Sequence, residues 1–101
     1  MTVSILDLHC LNAVCDDYEN VESITAEVRR SSHGNVKADE VAECLAEMAA
    51  ARLVDVFRFD SRSGRYEPLS PATLTADGIQ TSWFLISQKG QRELDANWVE
   101  D

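Results

Sequence analysis

"KADEVAECLAEMAAARLVDVF", Lys37–Phe57, decides the fold. Val41, Cys44, Leu45, Met48 and Ala49 recur at three- and four-residue steps, the spacing of one buried helix face. The alanines of this stretch are the strongest helix formers available. From Arg52 the period changes. Val54, Val56 and Arg58 alternate with Asp55, Phe57 and Phe59, and β-branched and aromatic types dominate, so the helix runs directly into a strand over Arg52–Asp60. The solvent side of the same helix carries Asp39, Glu40, Glu43 and Glu47.

Working back from Lys37, "VESITAEVRR" (Val21–Arg30) places Val21, Ile24 and Val28 on one face of a short helix. "SSHGN" breaks it, with Gly34 suited to the left-handed residue after a helix end and His33 expected as a surface turn residue. "SILDLHCLNAVCDDY" (Ser4–Tyr18) reads as a first helix with an apolar stripe of Ile5, Leu8, Leu11, Val14 or Cys15, and Tyr18. Ser4 is placed to cap it, and Asp7 completes a capping box with a shorter acid. Working forward, "SRSGRYEPLSPATLTADG" (Ser61–Gly78) is an 18-residue connection with two prolines and two glycines. Connections of that length are uncommon unless functional or partly ordered. "IQTSWFLIS" (Ile79–Ser87) reads as a second strand, and "SQKGQRELDANW" (Ser87–Trp98) as a last helix capped by Ser87 with Leu94 and Trp98 on its apolar edge. Two antiparallel strands alone are marginal, so the hairpin must pack on the helices.

The chain has 101 residues, 45 % of them hydrophobic, which suits one folded domain over 1–101. No apolar run approaches the roughly 20 residues of a spanning helix. "MTVSILDLHC" lacks a basic n-region, so no secretory leader is expected. Three cysteines then point to reduced thiols and a cytoplasmic location. The net charge of −9 comes from 18 acids and 9 bases. Such a charge repels nucleic acid and anionic membrane at long range. Residues 1–28 contain six acids and no Lys or Arg, whereas Arg58, Arg62 and Arg65 form the one basic concentration.

The order of elements resembles a winged helix-turn-helix. "ITAEVRRSSHGNVKADEVAECLAEMAAARLV" resembles the short helix, Gly-containing turn and longer helix of that superfamily. "WFLISQKGQREL" (Trp83–Leu94) resembles the strand-to-helix closure of MarR-like and PadR-like small regulators. The resemblance spans about residues 21–95. It implies an α+β fold: a three-helix bundle with a two-stranded β-hairpin wing and a C-terminal helix. The helix-turn-helix falls at about 21–52 and the wing hairpin at about 53–86. It also implies transcription regulation, with the third helix in a major groove, the wing on flanking backbone, and dimers on two half-sites. Carried over residue by residue, the readers are Lys37, Ala38, Asp39, Glu40 and Glu43, and the backbone contacts are Arg29, Arg30, Lys37, Arg58, Arg62 and Arg65.

The residues depart from that pattern where it matters for DNA. The position before the third helix is Lys37 rather than a capping Ser or Thr. Lys37 to Arg52 holds two bases against four acids. Phosphate neutralisation supplies most duplex affinity, and each acid near the backbone subtracts from it. A carboxylate can accept from cytosine N4, but four on one face lack compensating arginines. As structural features, Asp39 and Glu40 suit the positive end of the helix dipole, and Glu43 and Glu47 suit a solvated face.

Two readings follow. In the favoured one, the chain is a small acidic winged-helix regulatory protein acting through protein–protein contacts. In the other, it is a DNA-binding transcriptional regulator of PadR-like or MarR-like type that holds duplex DNA by its wing arginines. A homodimer is expected, with Leu8, Tyr18 and Trp98 as interface. No cofactor, metal or membrane is expected. His9, Cys10 and Cys15 lack ligand spacing on a helix, and their thiols read as structural. No nucleophile elbow or phosphate-binding loop is present, so the chain is not expected to be an enzyme.

Overall fold

The computed structural model describes residues 3–31 and 35–98. His33 and Gly34 lie outside the described residues. Along the chain run α1 (Ile5–Ala13), β1 (Glu19–Asn20), α2 (Val21–Ser31), α3 (Ala38–Ala50), β2 (Val54–Asp60), β3 (Arg65–Leu69), a 3₁₀ turn (Pro71–Thr73), α4 (Ala76–Ile79), β4 (Trp83–Ile86) and α5 (Gln88–Asn97). The strands form one antiparallel sheet in the order β1-β4-β2-β3. The architecture is therefore α+β, with helices packed on one face of a four-stranded sheet.

α2 and α3 form where the periodicity puts them. Every residue of α3 expected to point inward is buried: Val41, Cys44, Leu45, Met48 and Ala49. They meet Ile24 and Val28 of α2, Leu11 of α1, and Val54, Val56 and Phe84 of the sheet in one core cluster. Asn20 starts α2, its Oδ1 accepting the Ser23 N–H at 2.9 Å.

The sheet differs from a two-stranded hairpin. β2 does pair with β4, Val54 opposite Ile86, but β3 adds to the other side of β2, with Phe59 opposite Tyr66 and Phe57 opposite Pro68. Ser61–Gly78 is thus a short turn, a strand, a 3₁₀ turn and most of α4. Gly64 closes the turn at φ +69°, and its N–H donates to Asp60 O at 2.8 Å. Pro68 offers no N–H, which an edge strand tolerates and a central one does not. Ser70 caps the 3₁₀ turn with Pro71 in its first turn, and the Thr75 Oγ1 accepts the Gly78 N–H to cap α4. Ile79, expected in a strand, ends α4 and is buried.

α1 is shorter than expected and buries a different stripe. It ends at Ala13 because the Val14 carbonyl accepts the Ile86 N–H at 3.1 Å, and the chain must extend to enter β1. Ile5 is 77 % exposed, whereas Asp7, Cys10, Leu11 and Val14 are buried. Asp7 occupies a core-facing position because its carboxylate is satisfied there. Oδ2 accepts the Ser4 N–H at 2.8 Å, the Asp7 N–H donates to Ser4 Oγ at 3.1 Å, and the Cys44 thiol donates to Oδ1. The expected capping box is present and also reaches into the core.

The junction of α3, β2 and α5 gives the "SQKG" run a physical meaning. α3 ends with Arg52 in the left-handed region at φ 63°. The Arg52 N–H donates to Ala49 O at 3.1 Å and the Leu53 N–H to Met48 O at 2.8 Å, the paired bonds of a Schellman motif. Ser87 caps α5 by accepting the Gly90 N–H at 3.0 Å, and its hydroxyl faces the Arg52 and Leu53 carbonyls at 2.6 and 2.9 Å. Lys89 Nζ donates to Ala51 O at 2.9 Å, placing a cation on the carbonyl end of α3. At Gly90, α5 leaves no room for a side chain against the Leu53 carbonyl.

Candidate functional site

The sequence directs attention to the outer face of α3, which starts without a side-chain cap. Lys37 is extended, and its N–H donates to Glu40 Oε1 at 3.3 Å. Asp39, Glu40, Glu43 and Glu47 are all exposed, and none forms an ion pair among the described residues. The first two lie in the opening turn, where the helix dipole favours negative charge by roughly 0.3–1 kcal/mol.

One side of this face is walled. The 3₁₀ turn packs on α3, and the segment that follows it through α4 borders the same face. With it, Asp39, Ala42, Glu43 and Ala46 form a groove of about 470 Å³ whose other side is Leu74, Thr75, Ile79 and Gln80. Leu74 and Ile79 anchor this wall by packing into the core. Gln80 also borders a second hollow with Glu22, Thr25, Ala26 and Arg29 of α2 and Ala38 of α3. The start of α3 is therefore flanked by two hollows, while Ala38, Asp39, Glu40 and Glu43 stay exposed. The groove has an apolar floor and walls from Ala42, Ala46, Leu74 and Ile79 and a rim of two carboxylates one helical turn apart. Chemically it suits an apolar side chain flanked by a cation. Sequence reasoning missed this wall because the region read as loop, although "S-P-A-T" and "T-A-D-G" each carry a capping signal.

The expected backbone-contact residues do not form one patch. Arg29 Nε donates to Val36 O at 2.9 Å, tying α2 to the approach to α3. Arg30 pairs with Glu27. Arg58 lies within β2 and pairs across the strands with Glu67 at 2.7 Å, on the helix side of the sheet. Arg62 and Arg65 stand at the hairpin tip, exposed and without an ion pair among the described residues, as does Lys37 beside α3. The tip is held by Asp60, whose Oδ1 accepts the Arg62 N–H at 3.0 Å and whose Oδ2 accepts from Ser63 at 3.1 Å. These bonds, the Arg62 N–H foremost, hold its carboxyl below the ordinary range.

The expected interface residues fall in two places. Leu8 and Trp98 are half-buried against the core, and the Trp98 ring meets His9 edge-on at 5.3 Å. Tyr18 lies on the sheet, stacked on Tyr66 at 3.9 Å. Of the thiols, Cys10 and Cys44 are buried and Cys15 is half-buried. The hydrogen bond with Cys10, burial, and the neighbouring Asp7 together push the Cys44 thiol well above its ordinary range, so it stays protonated as a donor.

No family model, curated protein or solved structure matches the chain. Among the described residues, no helix is long and apolar enough to cross a membrane.

Proposed function

We propose that the chain is a small winged-helix regulatory protein of MarR-like or PadR-like kind that works through protein contacts rather than by reading DNA, and that it is not an enzyme. The succession of α1, β1, α2, α3, β2 and β4 supports the winged-helix reading, as does the closure of α5 on the α3–β2 turn. Under that reading β3 and the segment after it enlarge the wing.

The observation that carries the functional part is the α3 groove. A recognition helix contacts base edges with its N-terminal residues. Here Asp39, Ala42 and Glu43 line a groove with Leu74, Thr75, Ile79 and Gln80, and Asp39 and Glu43 stay exposed as carboxylates at its rim. The other exposed charged positions of α3, Glu40 and Glu47, are also carboxylates, which repel phosphates. A basic, amphipathic segment of a protein partner fits the same surface by charge and by apolar floor. The DNA-binding alternative rests on Arg62 and Arg65, free at the hairpin tip.

Fluorescence anisotropy with a labelled mixed-sequence duplex at low and moderate salt separates the two. The expected result is no salt-dependent binding by the wild-type chain and no difference on reversing Arg58, Arg62 and Arg65 to Glu. Binding that falls with salt and is lost in that variant would establish the DNA-binding reading.

A further inference from the structure

The α3 groove restricts the shape of what can occupy it. Asp39, Glu43 and Glu47 recur every four residues, and so do Ala42, Ala46 and Ala50. On a helix each set forms an oblique row, and the two rows run side by side. One is a ridge of exposed carboxylates and the other a trough of methyl groups. Such rows alone are ordinary on a solvated helix. Here the trough has a second bank. Leu74, Thr75, Ile79 and Gln80 line the same groove of about 470 Å³ as Asp39, Ala42, Glu43 and Ala46. Leu74 and Ile79 are packed into the core, which fixes that bank from below.

A trough along a four-residue row receives the matching ridge of another helix, the commonest mode of helix packing. Alanine on the floor leaves room for large apolar side chains. Cations at the same spacing on the visiting helix then fall beside Asp39, Glu43 and Glu47. These acids form no ion pair among the described residues, so an incoming cation displaces no internal one. A net charge of −9 draws a basic partner from a distance. The chain does not supply such a helix itself. α1, α3 and α4 contain no Lys or Arg, and Arg29 and Arg30 of α2 are adjacent rather than a turn apart. In α5, Lys89 is held on the Ala51 carbonyl. The one basic concentration, at the hairpin tip, is not helical.

Resting on the protein-contact function above, we propose that the α3 groove binds one basic amphipathic helix of a different protein. Large apolar side chains at four-residue spacing lie over Ala42 and Ala46, and Lys or Arg at the same spacing meet Asp39, Glu43 and Glu47.

Fluorescence anisotropy tests it on the full chain with a labelled peptide of roughly 18 residues, long enough to hold a helix. The peptide is built of Leu, Lys and Ala, with Leu on one four-residue row and Lys on the next. One control scrambles the order and another replaces Lys by Glu. The basic amphipathic peptide is expected to bind at least about tenfold more tightly than either control. Ala46→Phe fills the groove from an exposed position, and Asp39→Lys with Glu43→Lys reverses its rim. Each variant is expected to lose at least about tenfold in affinity while keeping the folded circular dichroism spectrum. The rim-reversed variant is expected to gain affinity for the Glu peptide. No binding of the basic peptide, equal binding of the scrambled one, or indifference to both variants would overturn the proposal. Self-association of the wild-type chain that the rim-reversed variant loses would make a second copy the occupant and would also overturn it. A mixed-sequence duplex measured alongside separates the two levels. Failure to bind either peptide or duplex removes the helix partner and leaves the protein-contact function standing. Salt-dependent duplex binding, lost on reversing Arg58, Arg62 and Arg65, removes both.

Discussion

Gly90→Ala is expected to destabilise the chain by about 3 kcal/mol or more, out of proportion to one added methyl group. A Cβ at this position would lie 2.0 Å from the Leu53 carbonyl oxygen, 3.0 Å from its carbon and 2.9 Å from Ile86 Cγ1. The first two atoms are backbone and cannot swing aside. Relief requires α5 to lift off the α3–β2 turn. That would strip the Ser87 hydroxyl from the Arg52 and Leu53 carbonyls and Lys89 from the end of α3. In an isolated helix Ala is favoured over Gly by about 1 kcal/mol, so propensity alone predicts a change of the opposite sign. Urea unfolding of the two proteins decides between them: a lower midpoint at unchanged slope identifies the close approach as the controlling interaction.

Asp7→Ala is expected to cost about 2–3 kcal/mol, combining the loss of a helix cap with a buried donor left unsatisfied. Asp7 accepts the Ser4 N–H at the start of α1 and the Cys44 thiol proton from α3. Removing the carboxylate frees the first and strands the second in a core position where Asp7 itself is only 4 % exposed. Asp7→Asn keeps one carbonyl oxygen in place and is expected to recover about half of the loss. A merely solvated acid near the N-terminus would give under about 0.5 kcal/mol for either change. Thermal or urea unfolding of the pair distinguishes the two roles.

These residues also show what sequence pattern can and cannot reveal. α2 and α3 were readable because their buried faces are apolar at helical spacing, and the closing helix because Ser87, Lys89 and Gly90 form a recognisable run. The α1 stripe was misassigned because hydrophobicity excluded Asp7, a polar residue that is core only through its partners. β3 was hidden by Pro68, a residue that argues against a strand until the strand is known to be at an edge. Gly64 between "FRFD" and "RYE" was the one available sign of the hairpin. β1, at two residues, is shorter than any alternation can register. The acidic face of α3 was evident in the sequence, but the wall built by Leu74, Thr75, Ile79 and Gln80 depends on tertiary packing.

A helix of this shape can carry this charge because its buried face alone fixes its place. Val41, Leu45 and Met48 hold α3 in the core whatever its outer residues are. Its outer face is therefore open to a different use, and the adjoining segment closes one side of it.

Under the proposed function, α3 does not enter a DNA groove. The most direct measurement is a ¹⁵N–¹H correlation spectrum of the labelled chain, titrated with a mixed-sequence duplex at low salt. The expected result is that the amides of Ala38–Glu47 do not move. Shifts concentrated in that helix and at Arg62–Arg65, and reversed by added salt, would contradict it.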